Sequence, residues 1–188
     1  MSVNIVAIAG SSSPHSYNKR LLEFMQQHFA DDDIRVISTR GLPMFSEDDP
    51  LPESVKEIGE AIAAADAVII AAAEYNHSLT SSLKSLLEWL SSDVHPLTGK
   101  PVFLIGASTH AQGGARAQIH LRDILLSPGV QAEVFQDEEF FLGDVRNAFD
   151  DQGNLMDEGT VKFLEKCYHE FLAYAKTVNQ VKGGQADA

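Results

Sequence analysis

Small hydroxyl side chains cluster in the segment "GSSSPHSYN", residues 10–18, between an apolar run and a pattern typical of a helix. Hydroxyl and amide groups are supplied by Ser11, Ser12, Ser13, Ser16 and Asn18. The first N–H groups of a helix bind anions through hydrogen bonds and the helix dipole. The segment is therefore suited to holding a monophosphate. The alternative is an ordinary Ser/Pro loop in which a serine caps the helix.

Two later segments are suited to binding a flat ligand. In "AEYNHS", residues 73–78, Tyr75 can stack on a ring, and backbone N–H groups near Asn76 and His77 can bond its edge. In "GASTHAQGG", residues 106–114, Gly113 and Gly114 permit close approach of the backbone. The alternatives are that Tyr75 packs against the protein, that Asn76 makes a turn, and that the glycines form a tight turn into a helix.

Several common sites are excluded by their missing signatures. The first loop lacks both the G-x-G-x-x-G glycines and a terminal Gly-Lys-Ser/Thr. No Gly-x-Ser-x-Gly elbow follows a strand, and the seven histidines are scattered without a Cys/His ligand cluster. We therefore expect no metal site and no catalytic nucleophile.

Short apolar runs rich in Val and Ile predict the strands that position these loops. Their continuous character is typical of strands buried on both faces of a parallel sheet. The predicted strands are Val3–Ala9, Ile34–Ile37, Ala67–Ala72, Val102–Ala107 and Val130–Phe135.

Segments of helical period separate these runs. One stripe comprises Leu21, Met25 and Phe29; a second comprises Leu79, Leu83, Leu86 and Leu90; a third comprises Ala117, Leu121, Ile124 and Leu125. Further helices are predicted over 55–65, with Pro52 near the start, and over 161–177.

The alternation of strands and helices predicts one α/β domain over 1–180, a doubly wound five-stranded parallel sheet of order 2-1-3-4-5 with helices on both faces. Ligands bind such folds at the carboxyl ends of strands 1 and 3, where the winding direction switches. The last residues, 181–188, are predicted to be a disordered tail.

Composition narrows the function further. Hydrophobic residues make up 44% of the 188, and the net charge of −13 disfavours binding to nucleic acid. The acidic charge is compatible either with simple solubility or with docking to a basic redox partner. Cys167 has no partner in the chain and shares a helical stripe with Leu164 and Phe171, which indicates a core residue and suits a reducing cytoplasm. No apolar run is long enough for a bilayer, so we expect no membrane association.

Taken together, the loop segments resemble the NADPH-dependent FMN reductase family, which includes quinone, chromate and azo-dye reductases. The matching stretches are "GSSSPHSYNKRL", "LPMFSEDD", "EYNHSLTSSLKSLLEWL" and "GKPVFLIGASTHAQGGARAQIHLRDIL", and they span about residues 3 to 135 in consistent order. Each short motif is weak alone, and the combination is specific.

The resemblance implies a flavodoxin-like fold, bound FMN, and NADPH or NADH as co-substrate. By matching position, it implies that Ser11, Ser16 and Asn18 hold the FMN phosphate, together with Ser13 and Tyr17 of the same loop. The isoalloxazine ring would be lined by Glu74, Tyr75, Asn76 and His77. The opposite side would be closed by Ser108, His110, Gly113 and Gly114.

This sequence departs from the family pattern at three places. Ser13 stands where the family commonly has Arg, and His15, Lys19 or Arg20 are candidates to replace that charge. The usual prolines are absent at Ala73 and at Thr80–Ser81. His110 occupies a segment that is often Gly or Pro, where it either reaches the flavin or nicotinamide or is a solvated loop histidine.

These observations predict an FMN-dependent oxidoreductase. Hydride would pass from NAD(P)H through the flavin to a small acceptor such as a quinone, free flavin, chromate or an azo compound, without a catalytic side chain. The family implies a homodimer or homotetramer. The alternative is a flavodoxin-like electron carrier or flavin-binding partner protein with little turnover of its own.

Overall fold

The apolar runs form a parallel sheet at the centre of the fold, in a computed structural model that describes residues 2–186. The strands of this sheet are β1 (Asn4–Gly10), β2 (Asp33–Ser38), β3 (Ala67–Ala72), β6 (Pro101–Ala107), β7 (Glu133–Val134) and β8 (Phe140–Leu142). A separate two-stranded hairpin consists of β4 (Glu74–Tyr75) and β5 (Ser78–Leu79). The large sheet has the order β2-β1-β3-β6-β7, and β8 also pairs with β6. This confirms the predicted order 2-1-3-4-5.

Helices cover both faces of the sheet. They are α1 (Tyr17–His28), α2 (Glu53–Ala64), α3 (Ser81–Trp89), α4 (Ala115–Leu125) and α5 (Glu158–Ala186). Alternate residues of β1 face opposite sides: Ile5 packs in the core with α1 and α5, whereas Val6 packs in the core with α2, α3 and α4. Both faces of the strand are buried, as its continuous apolar run predicts.

The fifth strand differs from the expected single run over Val130–Phe135. Only Glu133–Val134 is strand there, and Phe140–Leu142 pairs further along β6. The intervening segment, 135–139, contains "QDEE", whose polar side chains favour solvent over a buried ladder. The prediction of one strand was therefore wrong in its extent, because two short strands share that edge.

The start of α3 and the end of α5 also differ from the limits predicted from the sequence. Leu79 belongs to β5, and α3 begins at Ser81 after Thr80, whose Oγ1 accepts a hydrogen bond from the N–H of Leu83 at 3.2 Å. The last helix runs to Ala186, so the predicted domain limit at residue 180 falls inside α5. Residues 187 and 188 of the predicted tail lie outside the described residues. Within 2–186, no helix combines the length and apolar character needed to cross a bilayer.

Candidate functional site

The loop between β1 and α1 is organised by its own hydroxyl groups. Ser11 Oγ accepts from the N–H of Ser13 at 3.2 Å, and Ser13 Oγ accepts from the N–H of His15 at 3.2 Å. Ser16 caps α1, because its Oγ accepts from the N–H of Lys19 at 3.2 Å. Each hydroxyl acts here as an acceptor and keeps its own proton for donation to a ligand.

Two backbone donors remain at the start of α1. The first N–H groups of a helix have no acceptor within it. Ser16 supplies acceptors for the third and fourth residues of the helix, since its Oγ binds the N–H of Lys19 and its C=O binds the N–H of Arg20 at 3.0 Å. The N–H groups of Tyr17 and Asn18 precede these, so they are the donors that an anion at this helix end would meet.

The cations of this segment are engaged elsewhere. Lys19 forms an ion pair with Glu23, one turn along α1. The guanidinium of Arg20 donates to the C=O of Asp150 and lies 4.8 Å from the centroid of the Phe149 ring. Of the three candidates to replace a loop arginine, these contacts leave His15, whose side chain is exposed.

Asn18 joins α1 to the end of β6. It is buried, its Nδ2 donates to the C=O of Ala107 at 3.0 Å, and its Oδ1 accepts from the N–H of Ala107 at 2.9 Å. On one side of β6, the pairing with β3 ends at Ile105. On that side, the Asn18 amide therefore supplies the hydrogen-bond donor and acceptor that a longer β3 would have provided for Ala107. The second hydrogen of Nδ2 is not used in this pair.

The loop after β3 is a tight hairpin. Asn76 and His77 both have positive φ, 51° and 65°, between the paired residues Tyr75 and Ser78. Two consecutive left-handed residues are typical of the turn that matches the twist of a hairpin. The interpretation of Asn76 as a turn residue is confirmed, and Tyr75 is 53% exposed rather than packed into the protein.

Glu74 connects this hairpin to α4. Its Oε2 accepts from the N–H of Arg116 at 3.0 Å and of Ala117 at 3.4 Å, and its Oε1 lies 3.6 Å from Nη1 of Arg116. A carboxylate at a helix N-terminus satisfies unpaired N–H groups and opposes the positive end of the dipole. Glu74 therefore fixes the hairpin against α4.

The loop after β6 depends on its glycines for a close turn. Gly113 and Gly114 have φ of 61° and 91°. A Cβ on Gly113 would lie 2.6 Å from Cβ of Phe141, so any larger residue would force Phe141 or the loop to shift. Ser108 Oγ accepts a hydrogen bond from the N–H of His110 at 3.2 Å, which stabilises the start of this loop.

The hairpin and the loop after β6 enclose one cleft of about 340 Å³. Its lining residues are Glu74, Asn76, His77, Ser108, His110, Gln112, Gly114 and Arg116. Gln112 and Arg116 were not among the predicted site residues, although both belong to the "GASTHAQGGARAQ" segment. The loop after β1 borders a different cavity of about 660 Å³, together with Lys19, Arg20 and the turn near Gly153.

Two buried side chains on α5 have raised pKa values. Burial raises the pKa of the Cys167 thiol to about 11, and the side chain is fully buried, as the helical stripe predicts. Burial and the nearby carboxylate of Asp32 raise the pKa of Tyr168 well above its ordinary value. Both side chains lie on α5 in the core, where desolvation explains the shifts without a functional role.

Sequence comparison decides the family. The profile described as NADPH-dependent FMN reductase matches residues 3–146. The chain belongs to this family. It is an oxidoreductase that uses FMN with a nicotinamide co-substrate, and its sheet order and helices confirm the flavodoxin-like fold.

Individual relatives agree with this assignment. The reductase is 41% identical to the NADH:(hydroxy)cinnamate reductase subunit CrdA of Vibrio ruber, with 95% of this chain and 90% of that protein covered. It is 33% identical to the NADH-dependent flavin reductase subunit 2 of Lactobacillus johnsonii, with coverages of 93% and 98%. The solved structure of FerB, a flavoenzyme NAD(P)H:(acceptor) oxidoreductase from Paracoccus denitrificans, aligns with a TM-score of 0.81 at 26% identity. The alignment covers 93% of this chain and 98% of FerB.

The donor set is chemically suited to FMN. The start of α1 presents unpaired N–H groups and hydroxyls for a phosphate, and the cleft presents imidazole, amide and hydroxyl groups for the polar edge of a flavin ring. Among the described residues, no group of three His, Cys, Asp or Glu side chains is arranged to hold a metal ion.

Proposed function

We propose that this reductase holds the FMN phosphate at the loop between β1 and α1 and the isoalloxazine ring at the cleft beside the β4–β5 hairpin. Reducing equivalents then pass from NAD(P)H to a small acceptor such as a quinone, free flavin, chromate or an azo compound. One observation carries the proposal: β1, β3 and β6 are parallel neighbours, so the loops that follow them leave the same carboxyl edge of the sheet, with β1 and β3 at the switch point.

The phosphate end rests on donors rather than on cations. The hydroxyls of Ser11, Ser13 and Ser16 and the N–H groups of Tyr17 and Asn18 are the proposed ligands. In this proposal Asn18 has two tasks, since its amide also holds Ala107 and only one Nδ2 hydrogen is left for the phosphate. Lys19 and Arg20 are directed into other contacts, so hydrogen bonds and the helix dipole supply the binding.

The ring end rests on a rigid frame. The positive φ angles of Asn76 and His77 and the Glu74 contacts to α4 fix the hairpin. Gly114 and Ser108 line the opposite side of the cleft. Tyr75 is exposed at the hairpin, where its ring can contact the flavin or the molecule that reacts with it.

FMN supplies the two-electron chemistry when bound, and the chain binds and orients it. Glu74 and Asn18 hold the hairpin and the end of β6 in place and thereby maintain the shape of the site. No side chain is required as a nucleophile.

FMN titration of two variants tests the placement of the ring. Tyr75→Ala removes an exposed aromatic ring and is expected to weaken FMN binding, or raise KM for the acceptor, about fivefold. The matched control Phe163→Ala removes another exposed aromatic ring, on α5, and is expected to leave both unchanged. Wild-type affinity and kinetics in Tyr75→Ala would remove Tyr75 from the site.

A second candidate is a partner subunit that passes electrons to another protein. Two relatives carry the word subunit in their names, and the net charge of −13 is suited to a basic partner. Low turnover with every free acceptor despite rapid flavin reduction would favour this role.

The proposal also includes the oligomeric state and the cellular location of the protein. We expect a homodimer or homotetramer, to be measured by light scattering of the purified protein. A cytoplasmic location is supported by the single free Cys167 and would be tested by cell fractionation.

A further inference from the structure

The cleft beside the hairpin is unusually rich in hydrogen-bond donors for so acidic a protein. Its lining includes two imidazoles, two amides, a hydroxyl and a guanidinium, from His77, His110, Asn76, Gln112, Ser108 and Arg116. Among these described lining residues, the one carboxylate is that of Glu74. The chain as a whole carries a net charge of −13.

The charge of Glu74 is already compensated. Its carboxylate binds the N–H groups of Arg116 and Ala117, and the Arg116 guanidinium lies 3.6 Å away. The start of α4 adds the positive end of a helix dipole. Asp144, whose N–H approaches the C=O of His110 at 3.4 Å, does not line the cleft. The cleft is therefore rich in hydrogen-bond donors, and the one carboxylate among its described lining residues is already paired.

We propose that this cleft stabilises the reduced form of FMN over the oxidised form, with His110 and His77 as the residues that set the difference. The inference rests on the proposed placement of the ring in the cleft. Hydride transfer brings two electrons and one proton, so it adds one negative charge to the ring. Donors and positive charge beside a flavin ring stabilise that added charge and raise its reduction potential.

His110 is suited to substitution because its backbone contacts do not require its side chain. Its N–H donates to Ser108 Oγ, and its C=O accepts from the N–H of Gly113 at 3.1 Å. Its side chain is exposed at the cleft. His77 has a φ of 65°, so Asn, which tolerates the left-handed conformation, is the appropriate replacement.

The test is the reduction potential of protein-bound FMN at pH 7, measured by equilibration with a reference dye. His110→Ala and His77→Asn are each expected to reduce the preference for reduced FMN about fivefold, which for two electrons is a decrease of about 20 mV. His110→Lys, which places a cationic donor at this position, is expected to retain or exceed the wild-type potential. The control His169→Ala, exposed on α5, is expected to leave it unchanged.

Three outcomes would overturn the inference. The first is unchanged potentials in both His110→Ala and His77→Asn. The second is that the same two variants keep the wild-type potential but bind a redox-inert NADPH analogue more weakly. That result would assign the histidines to the phosphates of the nicotinamide nucleotide. The third is failure of the wild-type protein to bind FMN, which would overturn the proposed function as well. If FMN binds but the two variants keep the wild-type potential, the inference alone is overturned.

Discussion

Replacing Asn18 with Ala separates a structural role of this residue from a role in binding phosphate. Asn18 is 3% exposed, and its amide makes two hydrogen bonds of 3.0 and 2.9 Å with the backbone of Ala107. The variant leaves a buried N–H and a buried C=O unpaired at the end of β6. Each unpaired group costs about 1–3 kcal/mol. Since water can enter at the edge of the sheet, we expect a total loss of about 3 kcal/mol.

The assay is urea and thermal unfolding of the FMN-free protein. For a chain of this size, a loss of about 3 kcal/mol corresponds to a decrease in Tm of roughly 6–12 °C. The matched control is Asn179→Ala, which removes an exposed hydrogen bond from Asn179 Nδ2 to the C=O of Asp66. Its expected cost is within about 0.5 kcal/mol. Repeating both with excess FMN shows how much of the effect depends on the ligand.

Wild-type unfolding of FMN-free Asn18→Ala would refute this reasoning. The amide would then contribute little to holding β6, and a loss of FMN affinity in the same variant would assign it to the phosphate alone.

Three further predictions follow from single residues. Ser13→Arg restores a loop cation and should tighten FMN binding about fivefold by calorimetry. Gly113→Ala places a Cβ 2.6 Å from Phe141 at a φ of 61°, and should lower the free energy of unfolding in urea by about 2 kcal/mol. Cys167 should resist alkylation in the folded protein. Because its folded pKa is raised from 9.0 to about 11, its contribution to stability is complete below pH 9 and decreases between pH 9 and 11, as pH-dependent urea unfolding can measure.

Each of these has a contrary result. Unchanged affinity in Ser13→Arg would count against this loop as the phosphate site. Wild-type stability of Gly113→Ala would mean that Phe141 moves aside without cost. Rapid alkylation of Cys167 under native conditions would show that α5 opens readily.

The parallel core could be predicted because its strands are specified by local pattern. β1, β3 and β6 are continuous apolar runs, and their observed limits differ from the predicted ones by a residue at most. The division of this edge into β7 and β8 could not be predicted from local pattern, because Phe140 is part of the sheet only through its pairing with the distant residue Ile105. The β4–β5 hairpin is too short for any periodic signal.

The sequence indicates the turn-forming residues of the candidate site but not its long-range contacts. The turn at Asn76 and the glycine pair were foreseeable, because those residues favour left-handed backbone. The hydrogen bonds of Asn18 to Ala107 join residues 89 positions apart, and those of Glu74 to α4 join residues 42 and 43 positions apart. Such contacts depend on the assembled sheet, and no spacing in the sequence reveals them.

Anaerobic mixing of the purified protein with FMN and NADPH or NADH tests the central claim most directly. The visible absorbance of oxidised flavin is followed against a protein-free control. The account predicts rapid bleaching with the protein and slow or no bleaching without it. Retained absorbance with both nicotinamide nucleotides would contradict the account.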